Sequence, residues 1–481
     1  MSATLKDRAI DSMIWVTIDK TGGYSLLFIS NLVLARLLMP EDFGCIAMLH
    51  VFIAIADIIV HGGFGTALIQ KKNPTHIDYA SVFFINLLVS IFLYGLLFVL
   101  APAISRFYAM PLLTKVLRVQ AIVLIVNSFT VVQLSILKKN LKFKALAVRN
   151  LSSSFIGLIT GILCAFSGLG VWSLVINTLV TQVCGVLLLW KVSNWRPIWV
   201  FSFTSIKELF GFGGFMMFSS IIGSIYNELQ SLLVGKFYTA ADLGYVNQAK
   251  KLEGIPSGVL SSVVTQVSFP IFSKLQDDKT VLKCGLKKNI KSIQYINLPM
   301  MLLMMVIAKP LVELLYGERW MECVPYFQIL CVSRLLGVIV PLNMSIISAK
   351  GKGKLYFVTQ LIKCGFSILI IVLSVRHGIY ALMMALTLIP FFEFIVCSTV
   401  NQKLLHYGPF QQLRDIFPTF SIALLLALLS FGLKFVISWH PYIVMVIQSI
   451  VFITLYVAIT KMLKFEGFDV YYEVLKRKLK R

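Results

Sequence analysis

The amino-acid sequence predicts an all-α polytopic membrane protein of about 14 transmembrane helices, and three observations carry that expectation. Hydrophobic residues make up 58% of the 481 and charged residues 14%, against about 45–50% and about 25% in soluble domains. The apolar residues gather in runs of roughly 20, the length of a helix that crosses a bilayer. The 44 Lys and Arg residues, set against 21 Asp and Glu, cluster in short connections between those runs. A mean hydropathy of +0.86 agrees, and so little chain remains outside the runs that no sizeable soluble domain fits. The net charge of +23 is explained by orientation and anionic headgroups, so nucleic acid is excluded as a partner and membrane lipid is expected.

The runs lie near 11–38, 44–66, 79–100, 116–137, 150–167, 171–190, 209–234, 244–272, 290–311, 322–349, 355–374, 379–399, 416–437 and 441–460. All are expected to be helices, because a bilayer interior offers no water to unpaired backbone groups. Alternate connections carry 30 Lys and Arg on one side and 6 on the other, which places both termini in the cytoplasm. The basic tail 476–481 reads as a headgroup-binding end on that side. No cleavable signal peptide is expected, since Asp19 and Lys20 interrupt the first apolar run. The eight cysteines form no CxxC pair and read as small buried hydrophobes.

A repeat is visible at a spacing of 200 residues: Ala35–Gly44 aligns without a gap on Gly235–Gly244. In each copy a cation, Arg36 or Lys236, closes one helix, and an Asp, Asp42 or Asp242, stands where an N-cap would open the next. The copies fall at the first-to-second and seventh-to-eighth helix junctions, so the unit is six helices and the repeats are parallel. This predicts an N-lobe over 1–200, a C-lobe over 201–402, and a further helix pair with the basic tail over 403–481. Gly22–Gly23 and Gly211, Gly213 and Gly214 occupy matching places in the two halves and predict interrupted helices there.

Polar residues inside apolar runs are costly and mark candidate sites. Helical spacing aligns Arg8, Asp11, Trp15 and Asp19 in helix 1, with Lys20 beside them, and His50, Asp57 and His61 in helix 2. It aligns Ser220, Ser224, Asn227, Glu228 and Ser231 in helix 7, and Asn247, Lys250 or Lys251, Gly254 and Ser257 in helix 8. The simplest arrangement turns these four faces toward one hydrated cavity. Asp19 with Lys20, and Lys250 or Lys251 with Glu253, also read as local ion pairs. Asp57 with His61 lacks a third ligand and makes no metal site, and no cofactor is expected. Arg334 and Lys363 lie deep in helices 10 and 11 with no role assigned. Enzyme motifs are absent, and no connection is long enough for a catalytic domain.

The stretches LARLLMPEDFG (34–44), GFGTALIQKK (63–72), APAISRFY (101–108), LKFKALA (141–147), GVWSLV (170–175), WRP (195–197), KELFGFG (207–213) and VGKFYTAADLGYVNQAKKLEGIP (234–256) resemble one family. It is the polysaccharide transport (Wzx-type) flippases, in their colanic-acid-exporter-like branch, of the multidrug/oligosaccharidyl-lipid/polysaccharide exporter superfamily. The resemblance implies two six-helix lobes in a V-shaped MATE/MurJ-like arrangement plus two extra C-terminal helices. It also implies a substrate, an undecaprenyl-pyrophosphate-linked oligosaccharide, moved across the bacterial inner membrane by alternating access, with a polysaccharide polymerase and glycosyltransferases as partners. On that reading Lys20, Lys250 and Lys251 hold the pyrophosphate as compact point charges. Trp15 and Tyr226 stack on sugar rings, while His61, Asn227 and Glu228 hydrogen-bond them. Asp19, Asp57 or Glu228 couples transport to a cation. Two rivals remain, a cation-coupled drug exporter of the same fold and a membrane polymerase or ligase.

Overall fold

A computed structural model describes residues 3–61, 63–71, 73–140, 142–274, 278–436 and 439–468. For residues 3–14, 212–213, 215–216, 218–220, 222, 226–227, 259, 261–271, 273–274 and 436 it describes the backbone alone. The tail 476–481 lies outside the described residues.

Helix is the only regular secondary structure among the described residues, which contain no strand. The helices are α1 (Ala3–Leu37), α2 (Pro40–His61), α3 (Phe64–Gln70), α4 (His76–Phe107), α5 (Leu112–Gln120), α6 (Ile122–Ser128), α7 (Val131–Lys139), α8 (Phe143–Phe166), α9 (Val171–Val192) and α10 (Phe203–Phe237). They continue as α11 (Ala240–Lys274), α12 (Lys279–Val306), α13 (Ala308–Tyr316), α14 (Cys323–Gly337), α15 (Val340–Ala349), α16 (Gly353–Ser374), α17 (Ile379–Leu405), α18 (Pro409–Val436) and α19 (Pro441–Met462). Among the described residues every run expected from the sequence is mostly helix, with 116–137 divided among α5, α6 and α7. Among the described residues nine helices are long and apolar enough to cross a membrane, or up to 11 if two bent pairs each count as one span. The protein is thus multi-pass, and the count of 14 goes beyond what length and composition establish.

Two expected spans break at prolines, and the chemistry is the same in both. Proline has no N–H and its ring meets the carbonyl four residues back. Pro310 lies four residues after Val306, where α12 ends, and α13 departs at 76°. Pro341 lies four residues after Gly337, where α14 ends. Carbonyls freed at that second break are partly buried, and α12 supplies donors for them. Gln294 donates to the Leu335 carbonyl at 2.7 Å and Asn297 to the Arg334 carbonyl at 3.1 Å.

The interruptions expected at the glycines do not occur. α1 runs unbroken through Gly22–Gly23 and α10 through Gly211–Gly214. Gly22 serves close packing instead, since a Cβ there would lie 2.8 Å from Leu151 of α8. The Asp at each repeat junction also stands deeper than expected. α2 and α11 open at Pro40 and Ala240, so Asp42 and Asp242 are the third helical residues and reach back to the Met39 and Thr239 amides, at 3.0 and 3.1 Å. Thr239 returns the bond through its hydroxyl at 3.1 Å, completing a capping box that Met39, lacking a hydroxyl, leaves half made.

Contacts divide the chain into two units, Met1–Gly244 and Tyr245–Arg481. In the first, α8 packs on α1 and α9, and α10 packs on α2, α3 and α4. The repeat junctions themselves meet in this unit. A Cβ on Gly44 would fall 1.8 Å from the Ala240 carbonyl oxygen, and one on Gly244 would fall 2.1 Å from that of Pro40. Residues 40 and 240, and 44 and 244, are equivalent under the 200-residue repeat, so the contact is reciprocal. An aromatic core of Phe83, Phe129, Trp190 and Trp195 closes one end of the unit. Beside it Lys71 bonds Asp78 and Glu208 at 3.1 and 3.0 Å. Burial would lower the Lys71 ammonium, but its hydrogen bonds to Glu208 and Asp78 outweigh that and hold it above the usual lysine range.

In the second unit α12 packs on α18 and α14, α17 on α14 and α16, and α19 on α18. Three fully buried amides tie it together: Asn401 and Gln412 both donate to the Asn343 side-chain oxygen, at 2.7 and 2.9 Å. The last two helices belong to this core, for Tyr456 donates to the Tyr295 carbonyl at 2.7 Å.

Candidate functional site

The polar face of α1 is organised by α8. Asn150 donates to both carboxylate oxygens of Asp19, at 3.0 and 3.1 Å, while its own oxygen accepts from Arg149 at 2.8 Å. Arg149 also donates to the Gly185 carbonyl on α9 at 3.0 Å. The local ion pair expected between Asp19 and Lys20 is therefore replaced by a contact to α8. Adjacent helical residues point about 100° apart and do not face each other. Lys20 is exposed, and among the described residues it has no partner. One turn earlier, the Lys144 ammonium sits 5.3 Å from the centre of the Trp15 ring.

The α2 candidates are joined by α6 and α10. Asp57 accepts from Asn127 at 2.8 Å and lies 3.5 Å from His61 Nδ1, which also meets the Asp57 carbonyl oxygen at 2.8 Å. His50 Nδ1 lies 3.4 Å from Glu228 Oε1 of α10. Tyr226 and Asn227 have side chains outside the described residues. Among the described residues no three His, Cys, Asp or Glu side chains converge as a metal site would require.

In the second unit Lys250 and Lys251 lie on α11, both engaged in contacts within the protein. Glu253, buried to 1% exposure, accepts from Arg334 Nε of α14 at 2.7 Å and from the Ser257 hydroxyl at 2.7 Å, with the charge of Lys250 also acting on it. Lys363, similarly deep, pairs with Glu393 of α17 at 3.5 Å. The two unassigned cations are thus partners of a buried carboxylate, Glu253, and a half-buried one, Glu393. Sequence reasoning missed Asn150, Arg149, Asn127, Glu393 and the Glu253–Arg334 pairing. Their only signal was a polar residue in an apolar run, with nothing to name its partner.

The recurring motifs fall largely on these packing positions rather than on reactive groups. Trp195 of the WRP stretch is buried, and Arg196 donates to the Ser193 carbonyl at 2.7 Å and the Trp190 carbonyl at 2.9 Å. Lys236 donates to the Phe107 carbonyl at 2.5 Å and lies over the Phe107 ring. Residues 33–325, more than half the chain, match the family described as polysaccharide biosynthesis protein. The chain belongs to that family. It is 27% identical to the teichuronic acid biosynthesis protein TuaB of Bacillus subtilis over 63% of each chain. It is 27% identical to the succinoglycan biosynthesis transport protein ExoT of Rhizobium meliloti over 71% of this chain and 68% of that one. With the lipopolysaccharide biosynthesis protein WzxC of Escherichia coli it shares 26% over 74% and 72%. The match thus spans less than two thirds of the Bacillus relative's length.

Among solved structures the fold of the family member is that of the lipid II flippase MurJ, with a TM-score of 0.74 at 15% identity, covering 98% of this chain and 100% of that one. A multidrug resistance MATE transporter of the MOP superfamily follows at 0.60 and 15%, covering 82% and 99%. The MATE/MurJ-like fold expected from the sequence is therefore the fold of the chain.

Proposed function

We propose that this protein is a flippase for a lipid-linked oligosaccharide. It moves repeat units on undecaprenyl pyrophosphate from the cytoplasmic to the periplasmic leaflet of the bacterial inner membrane by alternating access. Both termini are cytoplasmic, and the lobes 1–200 and 201–402 are the moving parts, with 403–481 added to the second. One observation carries the reading: Lys20, on a helix expected to cross the membrane, is exposed and without a described partner, while Asn150 holds its neighbour Asp19. A cation whose nearest carboxylate is otherwise engaged is available to an anionic substrate group such as pyrophosphate. Family membership and the names of the relatives, concerned with polysaccharide biosynthesis and transport, support the same substrate class.

In this mechanism Lys20, with Lys250 and Lys251 in the second unit, binds the pyrophosphate. Stacking on the sugars is assigned to Trp15 and Tyr226, and hydrogen bonding to His61, Asn227 and Glu228. Asp19, Asp57 or Glu228 takes up a proton or sodium ion whose binding differs between inward-open and outward-open states and so biases their populations. The chain is read as acting with the glycosyltransferases that build the unit and the polymerase that consumes it.

The test is translocation of a fluorescent undecaprenyl-pyrophosphate oligosaccharide in proteoliposomes. Loss of a charge-assisted contact costs about 1.5–3 kcal/mol, so Lys20→Ala should slow translocation roughly 10- to 150-fold at equal protein levels. A normal rate in that variant removes the phosphate site. Failure of the wild type to move the lipid, with export of a cationic dye instead, favours the drug-exporter reading.

A further inference from the structure

We propose that the second unit carries a binding site for one anionic diacyl phospholipid, at the membrane end where α12 turns into α13 and α18 approaches α19. The sharp α12–α13 turn brings Lys309 to the rim of a cavity of about 390 Å³ that Lys434 of α18 also lines. Both lysines are exposed, and among the described residues neither ammonium has a protein partner. Of the other polar groups at the cavity, Glu313 accepts from the Tyr442 hydroxyl at 3.3 Å and Gln448 donates to the Ser430 carbonyl at 2.7 Å, while Trp439 adds its indole N–H to the lining. The cavity therefore presents two cations without described protein partners against a single carboxylate, a net positive mouth.

A second cavity of about 350 Å³ shares Val306 with the first and is walled by Met305, Leu424, Leu428 and Phe431. Phe431 and Lys434 are three residues apart on α18, so the apolar trough begins one turn from the cationic rim. Trp439, 65% exposed, lines the first cavity, and tryptophan is favoured where hydrocarbon gives way to headgroups. A cationic mouth opening onto an apolar trough along the helices matches an amphiphile with an anionic head. With the orientation proposed above the site lies in the outer leaflet, on the side where basic residues are scarce. Two lysines against the one carboxylate of Glu313 leave the cavity mouth net positive, and a phosphodiester is the charge that would balance it.

Attraction of the lipid to two cations near the membrane surface is worth roughly 30-fold in affinity. The purified full chain in detergent is titrated with phosphatidylglycerol, or with phosphatidylcholine of the same acyl chains, and retained lipid is counted by native mass spectrometry. One phosphatidylglycerol per chain should be kept, about 30-fold more tightly than phosphatidylcholine. Lys309→Ala with Lys434→Ala should abolish that preference, and Lys309→Arg with Lys434→Arg should keep it. Equal retention of the two lipids, or an unchanged preference in the double alanine variant, overturns the site. Displacement by millimolar inorganic phosphate identifies a free-anion site, and displacement by equimolar undecaprenyl phosphate identifies a substrate-lipid site; either overturns the diacyl assignment. The measurement needs no transport, so it stands or falls apart from the flippase reading.

Discussion

Replacing Arg334 by Ala isolates the contribution of the deepest ion pair. Glu253 is 1% exposed and accepts two hydrogen bonds on one oxygen, from Arg334 Nε and the Ser257 hydroxyl, each at 2.7 Å. Without the guanidinium a buried carboxylate keeps one hydroxyl and loses its counter-ion. Removing one partner of a buried pair costs about 3–5 kcal/mol. The Arg334 side chain is 45% exposed, so water screens part of the attraction and the lower end, about 3 kcal/mol, is expected. At about 2–4 °C per kcal/mol for a unit of this size, the unfolding midpoint should fall by about 6–12 °C. Glu253→Gln should cost less, about 1–2 kcal/mol, because a neutral amide is cheaper to bury and Arg334 can turn to solvent. The double variant should then resemble Glu253→Gln alone. Thermal unfolding of the four proteins in one detergent, followed by tryptophan fluorescence, completes the cycle. Single losses that add to the double loss within about 0.5 kcal/mol refute the pairing.

Gly44→Ala or Gly244→Ala puts a methyl group 1.8 or 2.1 Å from a backbone carbonyl that no rotamer change can move, so each should lower the yield of folded, monodisperse protein. Gly23→Ala, with nothing within 4 Å, should not, and equal yields for all three contradict the reciprocal packing. Asn150→Ala strips Asp19 of both its bonds and should cost about 1–3 kcal/mol. Adding Asp19→Asn should recover part of it, and no recovery in the melting midpoint counts against the contact. The raised Lys71 ammonium contributes stability that is fully present below the ordinary lysine value of 10.5 and is lost as pH rises through its folded value. Wild type and Lys71→Met should therefore differ in denaturant midpoint at neutral pH and converge only above 10.5; a constant difference at all pH values discounts the charge.

Local chemistry was legible in the sequence and long-range chemistry was not. The apolar runs gave the helices because a membrane leaves the backbone no alternative. The 200-residue repeat was legible because its copies share a junction, and the structure has them meet as Gly44 against Ala240 and Gly244 against Pro40. Asp57 with His61 was legible because residues four apart share a face. Periodicity says which face of a helix is polar, but not which helix comes to meet it. Asn150 is 131 residues from Asp19, and Glu228 is 178 residues from His50. Such partners are chosen by packing, here by Gly22 of α1 letting Leu151 of α8 approach beside Asn150.

The same reasoning separates the cations into two kinds. Arg334 and Lys363 face carboxylates that are 1% and 15% exposed, and each pair joins two helices of one unit, so their charges serve cohesion. Arg149 spends its donors on Gly185 and Asn150 and so orients the amide that holds Asp19. Lys20, Lys309 and Lys434, on other helices, are exposed and lack described partners. A membrane protein keeps an unpaired ammonium only where solvent, headgroups or a ligand can meet it. The paired cations should therefore be replaceable, together with their carboxylates, by apolar residues of like size at little cost to folding. The three unpaired ones should leave folding unchanged when removed and reduce only the binding of anions.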